Sequence, residues 1–182
     1  MKTPIPITVP RKLQNMVEWL KRAPEGPVVE VGVFEGGSLI HLVSRFPDRT
    51  FIGIDTFEGC PESGEHDNHH KAADFNAAFD AVKASCAQCK NITLVKGRLP
   101  QVANMVPEGV VLAHIDVDMY DSTKESLLAV IAKMAATSRI YCDDCFMDTC
   151  HGATIAMCEV SASIGMPLKI DHGLHAALCF GE

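Results

Sequence analysis

The sequence predicts an α/β fold: a doubly wound, mostly parallel seven-stranded sheet with a C-terminal antiparallel strand. Three observations carry this. Short apolar runs alternate with helical stretches along the chain. Val110 to Ile115 is a near-continuous apolar run, as a strand covered on both faces requires. The 182 residues are 47% apolar and show no internal repeat or linker, enough for the core of one domain over residues 1–182.

The elements follow in order. Val9 to Arg22 reads as a helix with Leu13, Met16, Val17 and Leu20 on one face, ended by Pro24, Gly26 and Pro27. Val28 to Val31 is the first strand, Gly36 to Arg45 a helix and Phe51 to Ile54 the second strand. Cys60 to His70 is too hydrophilic to be buried and reads as a surface loop; its His66-Asp67-Asn68-His69-His70 stretch invites a metal reading but reads rather as solvated or, if functional, as lining a substrate mouth. Ala72 to Cys86 is expected to be helical, with Phe75, Ala78, Phe79 and Val82 at helical spacing, and Ile92 to Val95 is the third strand. After the fourth strand, Ser122 and Glu125 look like a capping box opening a helix that reaches Met134. Ile140 to Cys142 is the fifth strand and Gly152 to Ile164 a helix. Leu168 to Ile170 and Ala176 to Phe180 close the chain as a strand pair around Gly173.

Composition excludes several classes. Sixteen basic against 23 acidic residues give a net charge of -7, which repels nucleic-acid phosphates. No apolar run reaches the roughly 18 residues that span a bilayer. Met1 to Lys12 lacks the apolar core of a signal peptide, so a cytoplasmic location is expected. The eight cysteines then read as reduced, mostly core residues. Cys86-x-x-Cys89 and Cys142-x-x-Cys145 resemble zinc half-sites, but topology sends them to opposite edges of the sheet.

In a doubly wound sheet, ligands sit beyond the carboxyl ends of the strands. After the first strand comes Glu30-Val31-Gly32-Val33-Phe34-Glu35-Gly36-Gly37-Ser38. Its glycines permit close backbone approach, and it is either a ligand turn or simply a tight strand-to-helix turn. Phe34 stands where a dinucleotide fingerprint needs its second glycine. After the second strand comes Asp55, placed to accept ribose hydroxyls or to cap a turn. Asp116 and Asp118 follow the fourth strand, and Asp143 and Asp144 the fifth. If those strands are neighbours, the carboxylates converge and repel unless a cation joins them, and hard oxygen donors favour Mg²⁺, Mn²⁺ or Ca²⁺. The other reading is that one or two of them cap helices.

These segments resemble the macrocin O-methyltransferase family of class I, Rossmann-like methyltransferases. The resemblance rests on Val29 to Ser38, Asp55 to Glu62, Ile115-Asp116-Val117-Asp118-Met119-Tyr120-Asp121-Ser122-Thr123, and Asp143-Asp144, with Lys96-Gly97 and Leu99-Pro100 weaker. It implies methylation of a small-molecule hydroxyl, of sugar or natural-product type, with S-adenosylmethionine (SAM) as donor and a divalent metal. Glu30, Gly32, Gly36, Gly37 and Ser38 would surround the methionine part of SAM. Asp55 would hold the ribose, Thr56 and Phe57 would lie near the adenosine, and Gly97 and Asp116 would complete the cofactor set. Asp116, Asp143 and Asp144 would hold the metal, with Asp118 a further ligand or a base. Catechol-type relatives place a lysine three residues after the fourth-strand Asp; Met119 stands there. Asp118 and His151 are therefore the candidates for the base, with His172 or His175 behind them.

The chain departs from the family at Val117 (for Gly) and Cys145 (for an aromatic residue). About 27 residues precede the first strand, so residues 1–26 are expected to form a reduced lid, which a homodimer partner could complete. Two rivals remain at this level: an NAD-binding oxidoreductase on a similar sheet, and a non-catalytic SAM-binding or scaffold protein.

Overall fold

The computed structural model describes residues 4–171 and 175–181. Seven strands form one sheet in the order β3-β2-β1-β4-β5-β7-β6. They are β1 (Val28–Val31), β2 (Phe51–Asp55), β3 (Ile92–Lys96), β4 (Val110–Ile115), β5 (Met134–Cys142), β6 (Lys169–Asp171) and β7 (His175–Phe180). The first five pair in parallel; β7 runs antiparallel to β5 and β6, as the sequence predicts. The turn around Gly173 and the side chain of His172 lie outside the described residues. Strand order reverses between β1 and β4, which opens a crevice at their carboxyl ends.

The helices are α1 (Pro10–Leu20), α2 (Gly37–Val43), α3 (Phe79–Cys86), α4 (Leu99–Val102), α5 (Tyr120–Ile131) and α6 (His151–Ser163). Helix α1 starts with Pro10, whose missing N–H costs nothing at a helix start. Leu13, Met16, Val17 and Leu20 are buried as expected, and Trp19 donates its indole N–H to the Val111 carbonyl at 3.0 Å. One core cluster joins Leu13, Met16 and Leu20 to Leu39, Phe51 and Val111. The other joins Val29, Ile54 and Ile115 to Leu127, Val130 and Met157. The sheet is covered on both faces, which explains the continuous apolar strands.

Three expectations are corrected. Helix α3 begins at Phe79 rather than Ala72. Ala73 and Phe75 adopt positive φ, Ala73 N–H donates to the Cys60 carbonyl and Cys60 N–H to the Asp74 carbonyl across the loop, so the helical spacing there is not used. Helix α5 begins at Tyr120 with no side-chain cap, so Ser122 lies inside the first turn and no capping box forms. It ends at Ile131, and Met134 instead starts β5 opposite Val110, ahead of a register shift. Helix α4 is one short turn that sequence periodicity did not disclose.

Candidate active site

A cavity of about 890 Å³ lies over the carboxyl ends of β1, β2, β4 and β5. The turn after β1 forms its floor. Gly32 has φ +89°, and a Cβ there would stand 1.6 Å from the Asp116 carbonyl oxygen. Only glycine lets β1 and the turn after β4 approach so closely.

Asp55 ties this turn down. One carboxylate oxygen accepts from Val33 and Phe34 N–H at 2.7 and 2.8 Å; the other accepts from Phe57 N–H at 2.7 Å. A carboxylate offers about four acceptor sites, so Asp55 keeps capacity on the cavity side. Gly32, Gly37, Ser38, Asp55, Thr56, Gly97 and Asp116 all line the cavity. Gly36 and Phe57 do not: Gly36 caps α2 in a left-handed conformation, and the Phe57 ring packs on Phe79.

Glu30 is placed behind the cavity rather than in its wall. It is fully buried, accepts from Ser38 Oγ at 2.8 Å, and lies 3.3 Å from His114 Nδ1. The other nitrogen of His114 lies 3.5 Å from Asp143 Oδ1. Burial alone would hold His114 neutral, but its contacts with Asp143 and Glu30 outweigh that and raise its pKa well above the ordinary value.

Adjacency of β4 and β5 brings the acidic pairs together as expected. Asp116, Asp143 and Asp144 each present an oxygen within 4.8 Å of the others, in the cavity wall. Their environments differ. Burial, then the charges of Asp144 and Asp143, push the Asp116 carboxyl well up. Burial, then Asp118 and Asp143, do the same to Asp144. Burial also acts to raise Asp143, but His114, Lys12 and His175 outweigh it and hold that carboxyl below its usual range. Lys12 is buried in α1, 3.3 Å from Asp143 Oδ2, and donates to the Asp143 carbonyl as well. Thr8 Oγ1 reaches Asp116 at 3.5 Å. Two of the three carboxyls, Asp116 and Asp144, thus stay raised, and the three together present converging hard oxygen donors. This donor set fits a divalent cation of the Mg²⁺ class.

Asp118 faces the same cavity in a left-handed backbone conformation, φ +58°. Asp144 Oδ2 accepts from the N–H groups of Val117 and Asp118 at 3.1 and 2.8 Å and so shapes this turn. Burial raises the Asp118 carboxyl, against the opposing pull of His70. His151 does not join it. His151 is exposed as the first residue of α6 and is absent from the cavity wall, because the helix turns its side chain outward. The imidazole beside Asp118 is His70 instead, 3.5 Å away. His175 is buried against Tyr141, 4.3 Å between rings, outside the cavity wall.

The sequence reading missed Lys12 and His114. Lys12 stands four residues before Met16 on the buried face of α1, and His114 interrupts an apolar strand in register with Glu30. Both signals were available. The two Cys-x-x-Cys pairs do not join in any candidate metal cluster among the described residues.

Sheet order, glycine turn and strand-end carboxylates together define a Rossmann-like methyltransferase domain. Solved structures agree on the fold. The O-methyltransferase NovP matches with TM-score 0.73 at 20% identity, over 94% of this chain and 77% of that one. CalS11, a calicheamicin methyltransferase, matches with TM-score 0.75 at 24% identity, over 93% and 77%. The Podospora anserina methyltransferase PaMTH1, bound to SAH, matches with TM-score 0.61 at 11% identity, over 92% and 76%. No curated protein sequence matches. The family model for macrocin-O-methyltransferase (TylF) matches residues 10–172. The chain belongs to that family and is a SAM-dependent O-methyltransferase. This replaces the oxidoreductase alternative. No described helix is long and apolar enough to cross a membrane.

Proposed function

We propose that this enzyme methylates a hydroxyl of a small molecule of sugar or natural-product type, with a divalent ion held by Asp116, Asp143 and Asp144. The observation that carries the reading is the convergence of these three carboxylates in the cavity that the glycine turn and Asp55 also line.

A divalent ion bound there would lower the pKa of an acceptor hydroxyl and fix its direction. Asp55 and the turn from Gly32 to Ser38 hold the methyl donor, with Thr56 and Gly97 beside it. Asp118 accepts the hydroxyl proton; its raised pKa makes it a better base than an ordinary carboxylate. Lys12 and His114 fix Asp143 in place. Ile5, Ile7 and Val9 line the cavity from the N-terminal segment, which acts as a short lid. Residues 1–182 then serve as a single SAM-binding domain in the cytoplasm.

Calorimetry of SAM, with Mg²⁺ and with EDTA, tests the reading. Asp116→Asn is the cleaner variant, because Asp143 is tied to Lys12 and His114. The expected result is retained SAM binding, lost Mg²⁺ heat and lost methyl transfer. Full turnover in Asp116→Asn would refute the metal role.

A further inference from the structure

A second set of donor atoms stands in the same cavity, and the methyl-transfer reading leaves most of it unused. His70 comes from the loop after β2, Asp118 from the turn after β4, and Cys150 from the residue that precedes α6. Cys150 Sγ is 3.4 Å from His70 Nε2 and 3.6 Å from Asp118 Oδ1; the nitrogen and the oxygen are 3.5 Å apart.

Those separations have a specific meaning. A tetrahedral Zn²⁺ holds sulfur at about 2.3 Å and nitrogen and oxygen at about 2.0–2.1 Å. The edges of that tetrahedron are then about 3.3 Å for nitrogen to oxygen and about 3.5 Å for either to sulfur. The three atoms therefore already occupy three corners of such a figure, before any ion draws them together.

The surroundings suit the same ion. Cys150 is buried, and the side chains of His70 and Asp118 are only 12% and 18% exposed. All three residues line the cavity, so the fourth corner is open to it. Each donor is also held from outside. Asp144 Oδ2 accepts from the Asp118 N–H at 2.8 Å, the His70 ring packs against Phe75 at 5.3 Å, and Cys150 N–H donates to the Met147 carbonyl at 3.1 Å. Sulfur, imidazole nitrogen and one carboxylate favour a borderline ion over Mg²⁺, whereas the neighbouring three-carboxylate group favours the reverse.

We propose that His70, Asp118 and Cys150 form a second metal site, selective for Zn²⁺, with one exchangeable position facing the cavity. Binding releases the thiol proton to solvent and leaves a thiolate on the ion. The binding itself does not depend on the proposed catalytic role of Asp118. Its consequence does: an ion on Asp118 removes the proton acceptor, so Zn²⁺ inhibits the methyl transfer that Mg²⁺ supports.

Co²⁺ tests this with a readout other than activity. Metal-free protein is titrated with Co²⁺ in excess Mg²⁺, so that the oxygen site is filled. The expected result is a near-ultraviolet thiolate-to-cobalt charge-transfer band with tetrahedral visible bands, displaced by Zn²⁺. Cys150→Ser should abolish the charge-transfer band, and His70→Gln should weaken Co²⁺ binding by at least about 100-fold. Circular dichroism and SAM calorimetry on each variant confirm the fold; should Cys150→Ser not fold, His70→Gln decides. No band in the wild type would overturn the site, as would a band undiminished in Cys150→Ser or an affinity unchanged in His70→Gln. Failure of SAM binding with the band intact would instead strike the methyltransferase reading.

Discussion

Glu30 and His114 face each other in register across β1 and β4, 3.3 Å apart and both fully buried. The pair continues in both directions, to Ser38 at the start of α2 and to Asp143 at the end of β5. A polar chain thus runs under the cavity floor from the donor side to the acidic group. Replacing Glu30 with Gln keeps the shape but sets a neutral amide against His114. Loss of one buried charged partner should cost roughly 1–3 kcal/mol, read by urea unfolding. An unchanged midpoint would show that the pair contributes nothing to stability.

Lys12 supplies part of the positive charge around Asp143, behind His114. Lys12→Met should destabilise the metal-free protein by roughly 1–3 kcal/mol, because a buried carboxylate loses one of its two charged partners and keeps His114. The same change should tighten Mn²⁺ binding, since a repelling charge has gone. Electron paramagnetic resonance of Mn²⁺ measures the affinity; weaker binding would contradict the electrostatic account.

Asp118→Asn should lower kcat by about 10²- to 10⁴-fold and leave SAM affinity unchanged. Single-turnover methyl transfer at saturating SAM checks this. A variant with normal turnover would assign the proton to another group.

Gly32→Ala should be among the most damaging single changes. The added Cβ would meet the Asp116 carbonyl oxygen at 1.6 Å, with φ at +89°. A loss above about 4 kcal/mol is expected, seen as poor soluble yield and a lowered urea midpoint. A loss below about 1 kcal/mol would mean that the turn relaxes freely.

His175 sets a pH dependence. Burial, then the charge of His114, lowers its pKa to about 3. The folded state keeps it neutral while the unfolded chain protonates near pH 6.5, so the unfolded state binds more protons between these values. Stability from this residue is therefore fully present above about pH 6.5 and falls as pH drops towards 3, by about 1.4 kcal/mol per pH unit. His175→Phe should flatten that slope in thermal melts taken at several pH values. An equal slope in the variant would place the effect elsewhere.

The fold was largely legible because period and burial agree: each strand was marked by apolar residues, β5 only at its Ile140 to Cys142 end. The acidic convergence was legible for the same reason, since β4 and β5 are neighbours and their ends must meet. What failed depends on distant partners. Phe75 carries helical spacing, yet its ring turns to Phe34, 5.9 Å between centroids, and to His70. Met134 reads as the last apolar residue of a helix until Val110 pairs with it. His151 adjoins the acidic pair in sequence, but the first turn of α6 carries it to the surface. His70 comes from a loop whose polarity hides the burial of its last residue. No local pattern records where such a loop lands.

The reach of α1 has a further meaning. Thr8 and Lys12 touch two of the three clustered carboxylates from a segment outside the sheet. The centre therefore borrows part of its charge and polarity from outside the sheet, from α1 and the residues just ahead of it. A tag fused ahead of α1 would thus act beside groups more than a hundred residues along the chain.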